Sequence, residues 1–175
     1  MKWLYVGLMN PGKEYLYTRH NAGCDALYAQ IENVSFSAEK KIFSMAGSCS
    51  KESNQYYFIF PVTFMNLSGN AVAAAMKKYS VDIEHVVVFH DEIELPPGEV
   101  QYKKGGGHRG HNGLRDIIAK TGSPDFHRIR IGVGRPPANT NMSVADYVLS
   151  KGPASERPGK EKVKAVLDEN QLNWQ

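Results

Sequence analysis

The chain has 175 residues, a formal net charge of +3 at pH 7, 42% hydrophobic and 22% charged residues. These are ordinary globular proportions, and they exclude disordered, collagen-like and coiled-coil classes. The length fits one domain, 1–175, and no stretch approaches the roughly 18 consecutive apolar residues that would span a bilayer.

The chain opens with Trp3 to Met9 (WLYVGLM), stopped by Asn10-Pro11-Gly12. A near-continuous apolar run of this kind reads as a strand buried on both faces. It is too short for a signal peptide, so a cytosolic protein is expected. Asn21 to Glu32 carries apolar residues at helical spacing, Gln55 to Val62 is aromatic and β-branched, and Asn66 to Tyr79 is Ala-rich. They predict a helix, a strand and a helix. His85 to Phe89 predicts a second buried strand, ended by His90-Asp91-Glu92. Glu99 to Lys104 predicts a more exposed strand, and Asn112 to Lys120 a short amphipathic helix. Arg128 to Gly134 alternates Arg and Ile, which predicts a strand with one basic and one apolar face. Ser143 to Ser150 and Lys160 to Asn170 predict two terminal helices. Cys24 and Cys49 lie in no metal or redox motif and read as free thiols.

Strands alternating with helices imply an α/β fold, a three-layer α/β/α domain with a twisted, mostly parallel mixed central sheet. In such sheets ligands bind beyond the carboxyl ends of the strands. Asn10 and His90-Asp91 fall at those ends, which marks that rim as the site.

Charge is uneven along the chain. Asp82 to Glu99 holds six acidic residues and no Lys or Arg, whereas Gln101 to Arg135 holds eight basic residues against Asp116 and Asp125. A concentrated basic face suggests a polyanionic partner. Lys103 to Gly113 (KKGGGHRGHNG) has five glycines between cationic residues. It is neither a Walker A loop nor a dinucleotide fingerprint. A mobile Gly-rich lid flanked by Lys103, Lys104 and Arg109 suits a phosphodiester backbone.

Four groups could carry chemistry. His20, at a helix N-terminus, would be held neutral by the helix dipole and could accept a proton as a general base with a pKa near or below 7; a capping histidine is the alternative. Asp91 could orient that imidazole, or cap a turn. Asn66 could cap a helix or hold a carbonyl, beside an exposed Phe64 and a flexible Met65. His111 and Asn112 sit at the mouth of the Gly-rich segment, with Asn112 another candidate carbonyl clamp. A metal site has poor support, because His108-x-x-His111 lies in a loop without a fixed carboxylate partner. No Gly-x-Ser-x-Gly elbow is present. Water activated by a His/Asp pair is therefore the expected nucleophile, and a non-catalytic RNA-binding module the alternative.

Four blocks, VGLMNPGKEYLYTRHNAG (6–23), PVTFMNLSGNAV (61–72), HDEIELPPGEVQYKKGGGHRGHNGLRDI (90–117) and FHRIRIGVGRP (126–136), resemble the bacterial peptidyl-tRNA hydrolase family in order and spacing. The resemblance implies a cofactor-free, monomeric α/β enzyme that hydrolyses the ester between a peptide and the 3′ ribose of tRNA. It implies His20 as the base, Asp91 as its orienting carboxylate, and Asn10, Asn66 and Asn112 around the peptide and scissile ester. It further implies Tyr15, Met65 and His111 as site walls, and Lys103 and Arg130 as tRNA-phosphate contacts. Arg109 departs from the small residue that many relatives carry.

Overall fold

A computed structural model describes residues 1–175. The strands are β1 (Lys2–Gly7), β2 (Ser37–Glu39), β3 (Ser44–Lys51), β4 (Asn54–Pro61), β5 (Val86–Glu92), β6 (Val100–Lys104) and β7 (His127–Gly132). The helices are α1 (Ala22–Gln30), α2 (Ser68–Tyr79), α3 (Asn112–Thr121), α4 (Val144–Val148) and α5 (Lys160–Glu169). The strands form one sheet in the order β2-β3-β4-β1-β5-β7-β6. The central strands β4, β1, β5 and β7 run parallel, and both edges, β2-β3 and β6, are antiparallel.

The centre follows from the apolar runs. Val86 to Phe89 are completely buried, as a strand covered on both faces requires. Alternation along β5 divides the core into two. Val86 and Val88 face a cluster with Val72 and Ala75 of α2 and Leu114 and Ile117 of α3. Val87 and Phe89 face a second cluster with Leu27 of α1 and Val163 and Leu167 of α5. Helices therefore cover both sheet faces, giving the three layers expected.

The structure adds one element and corrects one expectation. The antiparallel β2-β3 hairpin was not predicted. Ser44 to Lys51 (SMAGSCSK) has few β-formers; its strand exists because it pairs along the whole length of β4. And β5 does not stop at Phe89 but runs through His90 and Asp91 to Glu92, paired with β7 to the end.

The chain reverses its lateral direction across β1 and β5, since β1 is flanked by β4 and by β5. The carboxyl ends of these strands form the crevice where a ligand is expected. One glycine brings α1 to that crevice. A Cβ on Gly23 would lie 2.2 Å from the Phe89 carbonyl oxygen and 2.7 Å from His90 Cα. Gly23→Ala must push α1, and His20 just before it, away from β5. We expect a loss of about 1–3 kcal/mol in stability from overpacking. If His20 is the base that the resemblance implies, turnover should fall by about 10²-fold when it moves by an ångström. Urea denaturation and steady-state kinetics on the same preparation check both.

Candidate active site

Parity along β5 aims Asp91 at the side of Val87 and Phe89, the side covered by α1. The turn Arg19–Asn21 that leads into α1 delivers His20 there. His20 Nδ1 lies 2.8 Å from Asp91 Oδ2, and His111 Nε2 lies 2.7 Å from Asp91 Oδ1. His111 arrives from the other side as the N-cap of α3. Its Nδ1 accepts the N–H groups of Gly113 and Leu114 at 3.1 and 3.2 Å. With Nδ1 accepting, the proton of His111 sits on Nε2 and is donated to Asp91. One carboxylate thus receives an N–H from each of two imidazoles. The same proton placement leaves His20 with its hydrogen on Nδ1 and a lone pair on Nε2, which makes no hydrogen bond within the chain.

The electrostatics follow. Burial opposes ionisation of Asp91, but His20 and His111 outweigh it and hold its carboxyl well below the usual range. Burial alone would lower the pKa of His20, yet the charge and hydrogen bond of Asp91 dominate and raise it above the ordinary histidine value. This corrects the expectation from the helix dipole. A hydrogen-bonded carboxylate in contact is a stronger effect than the end of a helix, and the turn before α1 sets His20 back from the helix proper.

A cavity of about 420 Å³ opens beside this row. His20, Asp91, Lys103, Arg109, His111, Asn112, Arg128 and Arg130 are among its lining residues. Asn112 accepts from Arg115 through Oδ1 at 3.3 Å, which leaves its amide N–H groups unused. Partial burial, and then the charges of Arg109, Arg128 and Arg130, lower the pKa of Lys103. Its ammonium has no ion-pair partner, so an anion in the cavity would relieve this repulsion.

The remaining predicted residues lie beside the cavity rather than on its wall. Asn10 is buried; its Oδ1 accepts the Met65 N–H at 2.7 Å, and its Nδ2 has no partner in the chain. Met65 is buried and Asn66 exposed, both in a 3-10 turn before α2, so Asn66 does not cap that helix, whose N-cap is Leu67. Phe64 is half exposed and meets the half-buried Tyr15 edge-on, with ring centroids 6.2 Å apart.

Several features escaped the sequence reading. Asn21 grips the backbone of Asn10 from both sides, its Oδ1 accepting the N–H at 2.8 Å and its Nδ2 donating to the carbonyl at 3.0 Å. This pair holds the turn after β1 against the turn before α1. Arg130 is not free: Glu92 pairs with it at 3.0 Å and Gln101 accepts from it at 3.2 Å. Arg128, on the predicted basic face of β7, is only 2% exposed. The Gly-rich segment is not a free lid either, because its first half is tied down. Gly105 N–H bonds to Phe126 O at 3.0 Å, and the Gly106 and Gly107 carbonyls bond to Arg128.

His20, Asp91 and His111 present ligand atoms within 4.8 Å of one another, close enough for a metal ion. The donor set fits one poorly. The His111 nitrogen facing Asp91 carries a proton because its other nitrogen caps α3, and hydrogen bonds already account for every close approach.

Comparison with known proteins gives the family. The family profile described as peptidyl-tRNA hydrolase matches residues 4–173. A peptidyl-tRNA hydrolase of Vibrio parahaemolyticus is 47% identical over 169 residues, covering 95% of this chain and 84% of the relative. One of Vibrio cholerae is 46% identical over 170 residues, with the same coverage. The crystal structure of a peptidyl-tRNA hydrolase from Acinetobacter baumannii superposes with a TM-score of 0.82 at 37% identity, over 95% of this chain and 83% of that one. On the profile match over nearly its whole length and on these identities, the chain belongs to the peptidyl-tRNA hydrolase family.

Proposed function

We propose that this chain hydrolyses the ester joining a peptide to the 3′ ribose of tRNA. The observation that carries the reading is the hydrogen-bonded row His20–Asp91–His111 beside a cationic cavity, in a member of this family. His20 Nε2 takes a proton from water as the water oxygen attacks the ester carbonyl carbon. Asp91 stabilises the imidazolium that forms. Asn10 Nδ2, Asn66 and Asn112 offer amide donors to the peptide and to the developing oxyanion. When the tetrahedral intermediate collapses, the proton on His20 passes to the departing 3′ oxygen. Lys103 and Arg130 meet tRNA phosphate. Such contacts carry no sequence information, so many tRNAs are accepted. Tyr15, Phe64, Met65 and His111 wall the peptide end.

The protein works as a monomer in the cytoplasm on peptidyl-tRNA released prematurely from ribosomes. No helix is long and apolar enough to cross a membrane. The test of the reading is a time course with N-acetylated and free aminoacyl-tRNA, in which the acetylated ester is cleaved and the free one spared. Equal rates on both would contradict it. Prior exhaustive chelation is expected to leave the rate unchanged, because no step uses a metal; a loss restored by added Zn²⁺ would contradict the water-and-histidine chemistry.

The raised pKa of His20 fixes the pH dependence. The base must be neutral, so kcat/KM of the free enzyme should climb with pH through a midpoint above the ordinary histidine value and level off beyond it. A profile flat between about pH 5 and 8 would remove histidine as the base.

A further inference from the structure

We propose that Arg128 is a positioning residue that pins the rim of the Gly-rich segment and thereby sets the place of the phosphate-binding ammonium of Lys103. The proposal rests on the reading that this cavity takes tRNA phosphate.

Arg128 sits on β7 with no carboxylate in ion-pair range, since Glu92 is engaged by Arg130. A buried guanidinium without an acid partner is costly unless its donors are met. Carbonyl oxygens accept from both terminal nitrogens, Gly107 O at 2.7 Å from Nη1 and Gly106 O at 2.5 Å and Pro124 O at 3.2 Å from Nη2, while the buried Nε has no partner. The guanidinium also lies over the Phe126 ring, 4.5 Å from its centroid. At 2% exposure it cannot itself grip a large ligand. What it fixes is the backbone from Gly106 to Gly107, and that backbone lies against Lys103. A Cβ placed on Gly106 would come within 2.8 Å of both Lys103 Cε and Nζ. Gly106 also holds φ at +97°, a conformation open to glycine and strained for other residues. The planar fork of arginine can bridge two adjacent carbonyls, which a lysine ammonium cannot do in the same geometry. The alternating Arg/Ile pattern of β7 thus puts two arginines at the cavity, Arg128 tied to the carbonyls of the rim and Arg130 paired with Glu92.

The experiment compares two substrates: N-acetyl-aminoacyl-tRNA, and an N-acetyl-aminoacyl-adenosine ester that lacks phosphate. For Arg128→Lys, KM for the tRNA ester should rise about tenfold, the worth of one charge-assisted hydrogen bond. Its kcat, and the rate on the adenosine ester, should stay at wild-type values. Gly106→Ala, an exposed change in the loop itself, should give the same split and carries the test if Arg128→Lys does not fold. Lys103→Gln should match or exceed both. A wild type inactive on the tRNA ester overturns the functional reading and the proposal together. An active wild type whose variants keep the same KM, or lose equally on both esters, overturns the proposal alone.

Discussion

His20→Ala is expected to lower kcat on N-acetyl-aminoacyl-tRNA by about 10²–10⁴-fold, the usual contribution of a positioned general base. Affinity for the tRNA ester should be retained. The split follows from placement. The cations proposed to meet phosphate, Lys103 among them, line the cavity on the side of β6, β7 and the Gly-rich segment, while His20 reaches it from the turn before α1. Removing one imidazole leaves that charge arrangement in place. The fold should survive as well, since the His20 ring is tied to the protein through one side-chain hydrogen bond, to Asp91. Single-turnover rates and filter-binding affinities on the same variant decide the matter. Loss of binding together with rate would make His20 a recognition residue, and an unchanged rate would remove it from the chemistry.

Asp91→Asn should be nearly as damaging, for a reason specific to this site. The carboxylate accepts two N–H groups, one on each oxygen. A carboxamide has one acceptor and one donor end. His111 cannot adapt, because its Nδ1 is committed to the Gly113 and Leu114 N–H groups and its Nε2 must remain the donor. The amide oxygen of Asp91→Asn is therefore drawn to His111, and its NH₂ is turned on His20. His20 must then offer a lone pair at Nδ1 and carry its proton on Nε2, the atom that should accept one from water. The variant is expected to hold the base in the wrong tautomer, with kcat down by about 10²–10⁴-fold and KM little changed. With the negative charge gone, burial governs the His20 titration, and the residual pH profile should shift to lower pH. A His111→Ala, Asp91→Asn double variant tests the logic. With His111 removed the amide is free to flip, and part of the lost rate should return relative to Asp91→Asn alone.

How much of this was legible in the residues differs between fold and site. The buried strands are apolar runs, and Val86 to Phe89 announces its place at the centre of the sheet. The β2-β3 hairpin was not legible because Ser44 to Lys51 owes its strand to pairing with β4 and not to its own side chains. At the site, the residue types were readable: a histidine after the first strand, an aspartate at the end of another, asparagines near helix starts. Their company was not. That one carboxylate serves both His20 and His111 depends on the approach of α1 and α3 from different sides, which no local spacing reports. The direction of the His20 pKa was misjudged for the same reason, since a local feature, the helix end, was weighed without the distant carboxylate. Arg128 shows a limit of charge counting. Alternation placed it correctly on a basic face, but whether that face meets solvent depends on the Gly-rich loop folding over it.

The central claim is that Asp91 holds His20 with its proton on Nδ1 and a free lone pair on Nε2. Nitrogen NMR of the imidazoles across a pH titration measures this directly. The account predicts that, above its titration midpoint, neutral His20 shows the Nδ1–H tautomer in the wild type and the Nε2–H tautomer in Asp91→Asn. A wild-type His20 carrying its proton on Nε2 when neutral would contradict the account, whatever the activity of the protein.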